Sequence, residues 1–71
     1  MIVITENSTY KIEEFPDYFS CLKIDETSVS TSGVPIGYGK VIGRDRRIYI
    51  KVGEPMIFGG LHTTPVCKII P

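Results

Sequence analysis

The residues of this chain that could carry out chemistry are few and poorly spaced for catalysis or metal binding. His62 is the sole histidine, set in the Gly- and Thr-rich stretch Gly59 to Thr64, and Cys21 and Cys67 are the only thiols. A metal site built from these three would be expected to show a paired spacing such as C-x-x-C or H-x-x-x-H. The sequence has neither, so His62 reads as a surface residue and no metal is expected. Glu13 and Glu14 are adjacent, and neighbouring side chains on a strand point to opposite faces, which is the wrong arrangement for an acid–base pair. Gly37, Gly39 and Gly43 imitate a phosphate-binding loop, but their spacing is G-x-G-x-x-x-G and no helical pattern follows. With no candidate catalytic residue and a chain too short to enclose a deep pocket, neither an enzyme nor a cofactor is expected.

Binding chemistry is better represented. The stretch "GKVIGRDRRIYIKVG", Gly39 to Gly53, carries three arginines, two lysines and a tyrosine. It reads as a β-hairpin with the four-residue loop Gly43 to Arg46, pairing Ile42 with Arg47, Val41 with Ile48, Lys40 with Tyr49 and Tyr38 with Lys51. In that register Val41, Ile48, Ile50 and Val52 form the core face, and Gly39 leaves space beside them. The opposite face carries Tyr38, Lys40, Ile42, Arg47, Tyr49 and Lys51, with Arg44 and Arg46 at the loop tip. A shift of one residue would bury Arg47, Tyr49 and Lys51 instead. The partner-binding candidates are therefore Tyr38, Lys40, Arg44, Arg46, Arg47, Tyr49 and Lys51, because arginine and tyrosine dominate interface energetics. The same face could stack bases and hold phosphates, which makes nucleic acid the alternative partner. The plain structural reading is a solvated outer face on which lysine stems cover tyrosine rings.

Net charge is zero, which argues against a surface built wholly to neutralise phosphate. The zero conceals a division. Residues 1 to 35 hold six acidic and two basic side chains, and residues 36 to 71 hold six basic and two acidic ones. Such a molecule could meet an acidic protein surface through its second half, or stack acid to base on copies of itself.

These groups must be positioned by one small domain spanning residues 1–71. A chain this short buries only about 60% of the surface its unfolded form exposes, so the core is thin. The 42% hydrophobic and 23% charged composition is that of a globular protein. Ile2 to Thr5 reads as a strand, Glu6 to Thr9 as a turn, and "YKIEEF" as a second strand. The next segment is ambiguous: Phe15, Tyr18, Phe19 and Leu22 have the spacing of a helix face, whereas Tyr18, Ser20, Leu22 and Ile24 alternate as a strand does. Four of the seven aromatic residues lie between positions 10 and 19, so this region is expected to supply much of the core. Asp25 to Gly37 is Ser- and Thr-rich and reads as a long exposed loop or an edge strand. Beyond the hairpin, "MIF" and "VCKII" read as short strands separated by Gly-rich and Pro-rich turns.

Strands punctuated by Gly or Pro every 8 to 12 residues or so are typical of small barrels and sandwiches. The expected fold is all-β, an SH3-like or similar barrel of five to six strands, with or without a short helical turn near residues 16–22; the alternative is α+β. That likeness is architectural and carries no function. The N-terminus has a four-residue apolar run with no basic flank or cleavage site, and nothing approaches the roughly 20 apolar residues of a membrane span. A cytoplasmic protein with reduced thiols is expected, and Asn7-Ser8-Thr9 reads as turn residues rather than a glycosylation site. The functional expectation is a non-enzymatic binding protein, a small inhibitor or accessory subunit that contacts an acidic protein surface. The alternatives are a nucleic-acid-binding barrel and a self-assembling structural subunit.

Overall fold

The computed structural model describes residues 1–26 and 35–71. Among these residues there are seven strands: β1 (Ile2–Thr5), β2 (Ser8–Glu14), β3 (Tyr18–Glu26), β4 (Gly39–Gly43), β5 (Ile48–Tyr49), β6 (Pro55–Phe58) and β7 (Leu61–Ile70). They lie in the order β4-β3-β2-β1-β7-β6-β5, all neighbours antiparallel, in a sheet that curls into a half-barrel. The long strand β7 makes the curl, because its first half pairs with β6 and its second half with β1. The all-β expectation holds, with seven strands in place of five to six, and the described residues contain no helix.

Strand alternation decides the segment that was ambiguous in the sequence. Phe19, Cys21 and Lys23 turn inward from β3, while Tyr18, Leu22 and Ile24 turn out. Of the two readings of residues 16–22 the strand is the one that forms: a turn at Pro16 and Asp17 leads into the first half of β3, and no helical turn is present there. The i, i+3 spacing of Phe15 and Tyr18 has another cause: Tyr18 C=O accepts from Phe15 N–H at 2.8 Å across the turn, and the two rings stack with centroids 4.6 Å apart. At the opposite end of β2, Glu6 and Asn7 make a turn fastened by Thr5, whose hydroxyl donates to Ser8 C=O and accepts from Ser8 N–H. The expectation for the Asp25 to Gly37 loop lies mostly outside the described residues, although Asp25 and Glu26 extend β3.

The core consists of Val3, Tyr10, Ile12, Cys21, Ile42, Met56, Phe58 and Val66, and Phe19, Ile48, Ile50, Leu61 and Ile69 pack against it. Of the aromatics between positions 10 and 19, only Tyr10 is fully part of it; Phe58, wholly buried, supplies the other core ring. Lys23 is also wholly buried, with its ammonium 2.6 Å from a Glu26 carboxylate oxygen. A charge can be held there because a partner carboxylate and hydrogen bonds replace part of its lost hydration.

The hairpin expected between Gly39 and Gly53 does not form. The turn does, closed by Arg46 N–H donating to Gly43 C=O at 3.1 Å, but β4 pairs with β3 and β5 pairs with β6. The turn carries the chain from one edge of the half-barrel to the other. The facing of β4 is reversed as well: Ile42 is 7% exposed and Val41 64%. The cause is the real neighbour, since β3 places Ile42 opposite the inward Phe19 and Lys40 opposite the inward Cys21. Ile48 and Ile50 do face the core, but Val52 is mostly exposed. Gly39 faces outward, with no atom closer than 4.0 Å to a would-be Cβ, so it accommodates no close neighbour.

Candidate protein-contact surface

The seven binding candidates are divided among three places. Arg47, Tyr49 and Lys51 alternate with the inward-facing Ile48 and Ile50, which puts all three on the outer side of β5 and its extension. Tyr49 is the centre of this row. Its hydroxyl donates to Glu54 Oε2 at 2.8 Å, and Lys51 Nζ lies 3.6 Å from the same oxygen. The Glu54 hydrogen bond, then partial desolvation and the Glu54 charge, hold the Tyr49 hydroxyl above its ordinary range, opposed by Lys51 and Arg47. Arg46 is exposed in the adjoining turn. Arg46, Arg47, Tyr49 and Lys51 thus lie side by side along an edge strand and its flanks instead of a hairpin.

Arg44 has an internal task. One guanidinium nitrogen donates to Phe15 C=O at 2.8 Å, another sits 2.5 Å from Glu14 Oε2, and the group lies 4.9 Å from the centre of the Phe19 ring. It ties the β4–β5 turn to the β2–β3 turn and joins the acidic and basic halves of the chain. The other ion pairs among the described residues, Lys11–Glu13, Lys23–Glu26 and Lys51–Glu54, each stay within one half. Lys40 and Tyr38 are elsewhere. Lys40 turns inward from β4 over the Gly59–Gly60 turn and, as a secondary influence, lowers the Cys21 thiol, which burial pushes up to about 11. Tyr38 precedes β4, its C=O accepting from Lys23 N–H at 2.9 Å. At roughly 3.3 Å per residue it lies about 20 Å along the strand from Arg44.

Two features of this region were not anticipated. Glu54 orders Tyr49 and Lys51, although nothing in its sequence spacing marked it as a partner. Beside the inner face of β5 is a cavity of about 300 Å³ lined by Met1, Ile12, Glu14, Phe19, Ile48 and Ile50. Its walls come from β2, β3 and β5, so only the tertiary fold could reveal it. Of the residues weighed for metal binding, Cys21 is buried, Cys67 is exposed, and His62 lies opposite Ile57 in the β6–β7 ladder. No three His, Cys, Asp or Glu side chains converge on a metal-binding geometry among the described residues. No helix among them is long and apolar enough to cross a membrane. Compared with protein-family models, curated proteins and solved structures, the chain has no match in any of the three.

Proposed function

We propose that this protein acts in the cytoplasm by contact, as a small inhibitor or accessory subunit that binds an acidic surface of another protein through Arg46, Arg47, Tyr49 and Lys51. The observation that carries the reading is the outward row on β5: two cations flank a tyrosine whose hydroxyl is held by Glu54. Such a ring is a rigid anchor that loses little conformational freedom on binding, and the cations at its sides would guide an acidic partner into register. The separation of Tyr38 from this row supports a protein partner over nucleic acid, because a base-stacking platform needs neighbouring aromatic rings on one face.

Fluorescence anisotropy with a labelled oligo-aspartate decamer and, in parallel, an oligothymidylate decamer tests the proposal. Binding of the peptide that disappears in the Arg46→Glu/Arg47→Glu variant is the expected result. Tighter binding of the oligonucleotide, with a salt slope of about −0.7 per phosphate contact, would replace the proposal with nucleic-acid recognition.

A further inference from the structure

We infer that the partner is captured as an added β-strand: an extended segment with acidic and apolar residues in alternation, laid along the free edge of β5. This rests on the reading of the β5 row as a protein-contact surface. Three observations converge on the mode of binding. First, β5 ends the sheet, with β6 as its sole strand neighbour among the described residues. Arg47 C=O accepts from Gly59 N–H at 2.7 Å on the β6 side. In an antiparallel ladder successive residues alternate between bonding a neighbour and facing away from it, so the N–H and C=O of Ile48 point to the open side. Second, the cavity lies on the inner side of that edge and is walled by Ile48, Ile50, Phe19, Ile12 and Met1, together with Glu14, whose carboxylate is held by Arg44. Third, Arg47 and Tyr49 stand on the outer side of the same edge, with Lys51 just beyond its end, where Val52 bridges to Val66 of β7.

Side chains of an added strand point alternately to the two faces of the sheet. One set would enter the cavity and the other would stand beside the cations. A segment with leucine-like residues in the first set and carboxylates in the second satisfies both faces at once, and its backbone satisfies the edge. The other edge, β4, offers neither feature: its outward positions are Gly39, Val41 and Gly43, and its inward Lys40 and Ile42 already cover the Gly59–Gly60 turn.

The test is calorimetric titration of the full chain with a capped seven-residue peptide of alternating aspartate and leucine. A peptide of the same composition with its leucines grouped is the control. Two further peptides carry N-methyl groups, one on the aspartate amides and one on the leucine amides. Because these changes are in the ligand, they leave the fold of the protein untouched. The alternating peptide should bind more tightly than the grouped one. Methylation of the set facing β5 should weaken binding by about tenfold or more, as loss of one or two hydrogen bonds implies, and methylation of the other set by much less. Equal affinity for the alternating and grouped peptides, or equal effects of the two methylations, would overturn strand addition while leaving contact with acidic surfaces in place. If neither peptide binds, or if the Arg46→Glu/Arg47→Glu variant binds both unchanged, the contact surface itself is wrong and both proposals fall.

Discussion

Reversal of Ile42 and Val41 gives a sharp expectation for stability. Ile42→Ala removes everything beyond Cβ from a side chain that is 7% exposed and packs against the Gly59 turn. Isoleucine to alanine in a core costs about 2 to 5 kcal/mol, depending on how far the surroundings collapse into the space. Since β4 is an edge strand whose neighbours can relax, the lower half of that range is expected, about 3 kcal/mol. A domain of this size has a total stability of about 4 to 11 kcal/mol at the usual 0.05 to 0.15 kcal/mol per residue. The variant should therefore lose a large part of its stability, with a fall in Tm on the order of 15 °C. Val41→Ala, at a position 64% exposed, should change stability by no more than about 0.5 kcal/mol. Urea unfolding followed by far-UV circular dichroism measures both, and an unchanged slope would show that each variant unfolds from the same fold. If Val41→Ala cost as much as Ile42→Ala, the facing of β4 described above would be refuted and the hairpin register restored.

Three other outcomes follow from the same structure. Arg44→Ala should lower stability by about 0.5 to 1.5 kcal/mol through loss of its exposed Glu14 pair and its contact with the Phe19 ring, while leaving oligo-aspartate binding nearly unchanged. Thermal melts and anisotropy on one sample separate these effects. Gly59 has a φ of +60°, and a Cβ there would lie 3.1 Å from Ile42 Cγ2, so Gly59→Ala should cost about 1 to 2 kcal/mol in urea unfolding. The buried Cys21 thiol has a folded pKa of about 11 against an ordinary 9.0. The folded form thus holds the thiol proton more tightly, and this contribution is full below pH 9 and lost as pH rises through 11. Urea midpoints measured from pH 8 to 11 should fall for the wild type and fall less steeply for Cys21→Ala.

Much of the fold is legible in the sequence because short alternating runs bounded by Gly and Pro admit few other structures. The face of β5 is readable for the same reason: Ile48 and Ile50 alternate with Arg47, Tyr49 and Lys51, and burying the charged set is too costly. In β4 the local pattern gives no such guidance, since Val41 and Ile42 are both apolar and either could be buried. The choice falls to β3, whose inward Phe19 and Cys21 lie opposite Ile42 and Lys40. The assumption that strands adjacent in sequence pair with each other fails here because the chain crosses between the two edges of a curled sheet at Arg44 to Arg47. The same crossing separates Tyr38 and Lys40 from the rest of the expected site. It also draws Arg44 toward Glu14, 30 positions away, a contact that local spacing does not encode.

The central claim is that function resides on the outer row and free edge of β5. Amide chemical-shift mapping of the isotopically labelled protein with the alternating aspartate–leucine peptide tests it most directly. The largest shifts are expected from Arg46 to Lys51, with Ile12 and Phe19 at the cavity wall responding and Val41 and Leu22 on the outer face of β3 and β4 unmoved. Shifts centred on Val41 and Leu22, with β5 unaffected, would contradict it.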